Sequence, residues 1–148
     1  DTANRSLCGM TKDMLPVYKG LYDKLGNEPL FLYNYAAELN VAGRYGESLR
    51  ICKASSVRMS DYYTRLLQAD NCKQLKRYKE AERHLQQASY MCPNRFTPLY
   101  ELYTIYEAQG DTASMHRTAE AILRKPIKVA SPEVRQIIAK MKRFKQIN

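Results

Sequence analysis

Gly43-Arg44-Tyr45-Gly46-Glu47-Ser48-Leu49-Arg50 returns 33 residues later as Lys76-Arg77-Tyr78-Lys79-Glu80-Ala81-Glu82-Arg83. It returns again, after 34 more, as Gly110-Asp111-Thr112-Ala113-Ser114-Met115-His116-Arg117. Tyr45 aligns with Tyr78, Glu47 with Glu80, Arg50 with Arg83 and, further on, Ser56 with Ser89. A period of this length is the signature of stacked supersecondary units. Each string begins as a turn and runs into an amphipathic helix. Upstream of each lies a second helical pattern. Leu32, Tyr35, Ala36 and Leu39 recur at i, i+3, i+4 and i+7, as do Leu99, Leu102, Tyr103 and Tyr106, while Leu66, Ala69, Cys72 and Leu75 do so more loosely. Gly43 and Gly110 punctuate the turns and Pro93 follows the end of a second helix.

Each unit is therefore helix, short turn, helix. One such pair cannot bury its own apolar face, so neighbours must stack. The expected fold is all-α: a right-handed superhelix of antiparallel helix pairs, an α-solenoid of about eight helices. The expected organisation is an N-terminal segment 1–11, a half repeat 12–28, full repeats 29–61, 62–95 and 96–128, and a capping helix within 129–148. The half repeat carries one helix from Asp13 to Lys24, with Met14, Val17, Tyr18 and Leu21 on its apolar face. At the other end, Ser131 suits an N-cap and Pro132 a first helical residue. Val134, Ile137, Ile138, Met141 and Phe144 then form a single apolar stripe.

The pattern resembles the tetratricopeptide repeat. That family asks for a bulky residue, Leu, a small residue, an aromatic, G-x-Y-x-E-A, a second aromatic, Ala and Pro. The residues that match are Tyr35-Ala36 with Gly43-x-Tyr45-x-Glu47-Ser48, then Tyr78-x-Glu80-Ala81 with Leu85, Ala88 and Pro93. The last repeat departs, with Tyr103 at the small position and Met115 in place of the Ala near the turn, and is expected to pack less tightly.

A narrower resemblance runs through three strings: Leu30-Phe31-Leu32-Tyr33-Asn34-Tyr35-Ala36-Ala37-Glu38-Leu39-Asn40, Ala88-Ser89-Tyr90-Met91-Cys92-Pro93-Asn94-Arg95-Phe96, and Lys125-Pro126-Ile127-Lys128-Val129. These are similar to the soluble C-terminal tetratricopeptide region of O-antigen ligase or polymerase-like membrane proteins of the Bacteroidetes. The resemblance implies a periplasmic location, tethered to the inner membrane by a part of the parent chain that also carries the chemistry. The alternative location is cytoplasmic. A start at Asp1, with neither Met nor a signal-peptide pattern, is what an excised piece would show. No apolar run approaches the ~18 residues of a membrane span.

The 148 residues, 45% apolar and 26% charged, exclude a disordered or collagen-like chain. Cys8, Cys52, Cys72 and Cys92 contain no C-x-x-C, which argues against zinc. The even count would allow two disulfides in an oxidising compartment, but Cys52 and Cys72 fall on inward-facing helical positions and read as buried thiols. His84 and His116, the only histidines, lie at no metal or nucleophile spacing and read as surface residues. There is no G-x-S-x-G, H-E-x-x-H, P-loop or G-x-G-x-x-G. Glu80 and Glu82 fall in a first helical turn, where they complement the helix dipole. No catalytic residue, metal or cofactor is expected, and an enzyme is not.

Partner binding is expected on the first helix of each pair, which lines the concave groove of a tetratricopeptide stack. The candidates are Tyr33, Asn34, Ala37, Asn40 and Val41, then Leu67, Asp70, Lys73 and Gln74, then Tyr100, Glu101, Thr104 and Glu107. Asn and Tyr suit an extended peptide, because the amide pairs with backbone groups and the ring offers area at small entropic cost. Leu67, Thr97 and Glu101 stand where a carboxylate-clamping groove would need cations or amides, so a clamp for a chaperone tail is not expected.

The net charge of +9 is concentrated. Residues 117–148 carry +7, from Arg117, Arg124, Lys125, Lys128, Arg135, Lys140, Lys142, Arg143 and Lys145 against Glu120 and Glu133. The patch read from this is Arg124, Lys125, Lys128, Arg135, Lys140, Lys142, Arg143 and Lys145. Only Phe144 is interleaved with these cations, which disfavours nucleic acid. The leading expectation is a non-catalytic scaffold for a protein or peptide. The alternatives are an electrostatic binder of anionic lipid or acidic glycan, or a self-associating module that forms a homodimer.

Overall fold

The computed structural model describes residues 11–56 and 61–147, with side chains from Met14 onward. The segment 1–11, with Cys8, and residues 57–60 therefore lie largely or wholly outside the described residues. Eight α-helices and no strand are found among the described residues. They are α1 (Thr11–Leu25), α2 (Pro29–Val41), α3 (Tyr45–Ser56), α4 (Tyr62–Gln74), α5 (Tyr78–Met91), α6 (Thr97–Gln109), α7 (Thr112–Arg124) and α8 (Pro132–Ile147). The chain divides into two compact units, Asp1–Ala81 and Glu82–Asn148.

Local chemistry accounts for the helix ends. Pro opens α2, follows the first residue of α6 and opens α8, where its missing N–H costs nothing. The Asp61 carboxylate accepts from the Thr64 amide at 2.7 Å and the Asp111 carboxylate from the Ser114 amide at 3.1 Å, capping α4 and α7. The Ser131 hydroxyl accepts from the Val134 amide at 3.2 Å and caps α8 as its sequence position implied.

The turns after α2, α4 and α6 share one backbone design. Arg44, Arg77 and Asp111 donate their amides to Leu39, Cys72 and Tyr106, five residues back, at 2.8, 2.8 and 2.9 Å. Gly43, Lys76 and Gly110 donate to Asn40, Lys73 and Glu107 at 2.9, 2.9 and 3.1 Å. This is the Schellman closure, which places its penultimate residue in the left-handed region. Gly43 (φ 79°), Lys76 (φ 60°) and Gly110 (φ 69°) all sit there.

In the first unit α2 packs along α3, and α4 packs on both. Leu32, Ala36, Leu39, Ile51 and Cys52 form the buried centre, with Leu15, Phe31, Tyr35 and Leu67 against it. Tyr18 of α1 meets Phe31 and Tyr35 with ring centroids 5.5 Å apart in each case. Burying such side chains contributes about 1.5–3 kcal/mol each.

In the second unit α6 packs along α7, and α8 packs on α7. Phe96, Tyr103, Ala119, Ile122 and Met141 form its centre, with Met115, Val134, Ile137, Ile138 and Phe144 against it. The looser packing expected of this pair is not found at Tyr103. That ring is only 2% exposed and meets Phe144 edge-on at 5.4 Å, because α8 supplies an aromatic where a small residue would have needed none.

The expectation of surface histidines is corrected. His84 is buried at 7% exposure, since it lies one residue before Leu85 on the inward side of α5. His116 is half-buried, its ring 4.7 Å from Phe144. Cys52, Cys72 and Cys92 are free thiols, the first two fully buried.

Candidate functional site

In the first unit, α2 and α4 bring the predicted groove residues to neighbouring faces. Tyr33, Asn34, Ala37 and Asn40 are half-buried along α2, and Val41 is exposed at its end. Leu67, Asp70 and Lys73 are half-buried along α4, and Gln74 is exposed. Leu67 packs against the apolar centre, so its side chain contributes to the core. Burial holds the Tyr33 phenol above its ordinary pKa, with further upward contributions from Asp61, Cys52 and Tyr63. Tyr33 is therefore a neutral hydrogen-bonding group at any physiological pH.

Asn40 and Asp70 are joined. The Asn40 amide donates to the Asp70 carboxylate at 2.7 Å and to the Asn71 side-chain oxygen at 2.9 Å. Asn71 in turn donates to the Ser48 hydroxyl at 2.8 Å, and Ser48 donates to the Ala36 carbonyl at 2.6 Å. A polar chain thus runs from the α2–α4 face into the packed interior of α2, α3 and α4. It locks Asn40 and Asp70 in place and leaves Tyr33, Asn34 and Gln74 as the more adaptable part of the face. Asn71 was not singled out by the sequence, and Ser48 only as the counterpart of the repeat's Ala. The available signal was Asn71 beside the inward-facing Cys72, a polar residue one position from a core stripe.

In the second unit, Tyr100, Glu101 and Thr104 are half-buried on α6, and Glu107 is exposed. The Thr104 hydroxyl donates to the Glu101 carbonyl of its own helix at 2.7 Å. Tyr100 stacks on Tyr103 at 6.4 Å between centroids, with 14° between the planes. The Lys140 ammonium of α8 donates to the Tyr100 hydroxyl at 3.1 Å and lies 5.3 Å from the Tyr100 ring centre and 5.8 Å from that of Tyr103. The Tyr100 bond raises the Lys140 pKa against the opposing effect of burial, with the charges of Tyr100 and Glu107 adding to the rise, so this lysine stays charged. Tyr100 and Lys140, assigned by sequence to a groove and to a basic patch, belong to one place.

The remaining cations of the predicted patch are differently engaged. Lys125 bonds the Pro93 carbonyl and lies 5.9 Å from the Phe96 ring centre. Lys145 pairs with Glu120 at 2.6 Å, and Arg124 approaches the same carboxylate at 3.9 Å. The Lys145 bond is the largest influence holding the Glu120 pKa below the usual range. Lys128, Arg135, Lys142 and Arg143 are exposed. No cluster of His, Cys, Asp and Glu suited to a metal occurs among the described residues. Among them, too, no helix is long and apolar enough to cross a membrane.

No protein-family model matches this chain, and no curated protein matches it. Solved structures do. The crystal structure of MamA superposes with a TM-score of 0.75 at 15% identity, covering 98% of this chain and 84% of that one. A second MamA crystal structure gives 0.73 at 15% identity, with 98% and 79% covered. A MamA RS-1 ArsTM double mutant gives 0.69 at 12% identity, with 99% and 74% covered. MamA is a tetratricopeptide-like helical repeat protein. The chain accordingly has an all-α, tetratricopeptide-like solenoid fold.

Proposed function

We propose that this chain is a non-catalytic scaffold that binds a protein or peptide. The observation that carries this reading is the tetratricopeptide-like fold with a half-buried Tyr33–Asn34 face beside the fixed Asn40–Asp70 pair. Such a face offers amide, phenol and carboxylate groups in a held arrangement, which suits the backbone of an extended segment. In the fuller form of the proposal, the chain is the periplasmic C-terminal region of an O-antigen ligase or polymerase-like membrane protein, positioning a partner for glycan assembly. The three strings beginning at Leu30, Ala88 and Lys125 support that context.

The test is a pull-down and a peptide array with the purified chain, beside the variant Tyr33→Ala with Asn34→Ala. The expected result is a saturable partner whose binding falls about tenfold in the variant. Absence of any saturable partner refutes the scaffold. A partner indifferent to the two substitutions moves the contact to another face.

A further inference from the structure

Two cavities of the second unit, of about 440 and 550 Å³, share the walls Thr97, Glu133 and Ile137. Together they make one trough along α6 and α8. Arg95 and Lys128 line one end, and Lys140 and Arg143 line the other. Glu133 lies in both cavities, between these cations. The buried Phe96 and the stacked Tyr100 face the trough from the α6 side.

We propose that this trough docks an extended acidic peptide segment, with a carboxylate toward Lys128, a second toward Lys140 and Arg143, and small apolar residues between. The proposal rests on the scaffold reading and names the chemistry of a partner for a face other than the Tyr33–Asn34 one.

Charge complementarity and shape select the occupant. From Glu133 to Arg143 the helix rises about 15 Å, so four or five extended residues at about 3.4 Å each cover the stretch from the middle of the trough to its Arg143 end, and reaching Lys128 takes a longer segment. Lys140 is recessed and half-buried, held over two tyrosine rings, so a flat lipid surface reaches it poorly. A glycan or nucleic acid charged at every unit would set a negative group opposite Glu133. A peptide sets an amide N–H there, which the carboxylate accepts. Lys140 and Arg143 sit at i and i+3, close enough to share one carboxylate.

An immobilised array of random-sequence peptides, probed with the full chain at low and at about 0.5 M salt, gives the first readout. The expected result is retention of peptides with separated Asp or Glu residues, lost at high salt. The best-retained peptide is then labelled and followed by fluorescence anisotropy. Lys140→Gln with Arg143→Gln is expected to weaken it about tenfold, Arg143→Gln alone and Lys128→Gln about threefold each, and Tyr33→Ala with Asn34→Ala not at all. Arg143 and Lys128 are exposed, so those two single variants report on binding without disturbing the core. Retained peptides with no acidic bias, or binding unmoved by the Lys140, Arg143 and Lys128 changes, overturn the trough and leave the scaffold standing. Vesicles of phosphatidylglycerol or a uniformly charged polysaccharide that displace the peptide and bind more tightly through the same cations also overturn it. An array that retains nothing refutes the scaffold, and the trough with it.

Discussion

Ser48 accepts the Asn71 amide at 2.8 Å while donating its own proton to the Ala36 carbonyl at 2.6 Å, and both side chains are fully buried. This pair ties α3 to α4 and to α2 at once. In so small a core, each member is satisfied by the next, and removing one strands the others.

Asn71→Leu is therefore expected to cost about 2–3 kcal/mol, since Ser48 loses its donor and Asn40 loses an acceptor. Ser48→Ala should cost about 1–2 kcal/mol, because the Ala36 carbonyl and the Asn71 amide lose their partner. The double variant should cost less than the sum by about 1 kcal/mol, as the stranded partners vanish together. Urea midpoints of the four proteins measure the cycle. Strict additivity would show that the two groups do not interact.

Tyr106 gives a prediction at alkaline pH. Its hydroxyl donates to Glu82 at 2.7 Å, and burial first, then this bond, push its pKa up to about 12. A phenol whose folded pKa lies above the unfolded value of about 10 contributes stability that is complete below pH 10. That contribution is lost as pH rises from 10 through the folded value. Tyr106→Phe should reduce stability at neutral pH by about 1–2 kcal/mol and flatten its fall between about pH 10 and 12. Thermal melts of both proteins across that range decide it. An unchanged alkaline slope in the variant counts against the bond.

The acid limb has the opposite sign. Hydrogen bonds from Ser114 lower the Asp111 pKa, and the Lys145 bond lowers that of Glu120. A carboxylate with a depressed folded pKa contributes above its unfolded value, near 4, and loses that contribution as pH falls through the folded one. Glu120→Gln and Asp111→Asn should each make the midpoint less sensitive to acidification below about pH 4. A melt series in which neither variant alters the acid slope contradicts these pairings.

Thiol reactivity separates the cysteines. Burial dominates in raising the Cys52 pKa to about 12, with Ser48 opposing and Cys72 adding to it. The thiolate is the reacting form, so Cys52 should resist alkylation at neutral pH, as should the fully buried Cys72. Half-buried Cys92 should react first. In a Cys8→Ser background, peptide mapping after iodoacetamide checks the order. Cys52 labelled as fast as Cys92 would mean that the α2–α4 core opens readily.

How much of this was legible follows from what each signal averages over. Periodicity marks an apolar stripe, so Leu32, Ala36 and Leu39 pointed inward from sequence alone, and they are completely buried. It is blind to a polar residue that finds partners, which is why Ser48, Asn71 and His84 went unread as interior. Charge counting found the +7 segment but not its division. Whether Lys145 meets Glu120 and Lys140 meets Tyr100 depends on where α8 settles, 25 and 40 residues away in sequence. Met115 and Tyr103, read as departures from the repeat, share a cluster with α8 residues that no repeat pattern includes.

The recurrent turn gives the last prediction. Gly43, Lys76 and Gly110 occupy one structural position with φ of 79°, 60° and 69°, yet only two of them are glycine. A side chain in the left-handed region costs about 1–2 kcal/mol against glycine, partly offset because glycine has more freedom to lose on folding. Lys76→Gly should therefore stabilise the chain by about 0.5–1 kcal/mol. Gly43→Ala and Gly110→Ala should destabilise it by about 1 kcal/mol each. A Cβ at either glycine meets nothing within 4 Å, so these costs are purely conformational. Urea unfolding of the three variants reads all of them on one scale. If Lys76→Gly proves destabilising, the Lys76 side chain must make a contribution that outweighs its backbone, and the three turns are not energetically equivalent.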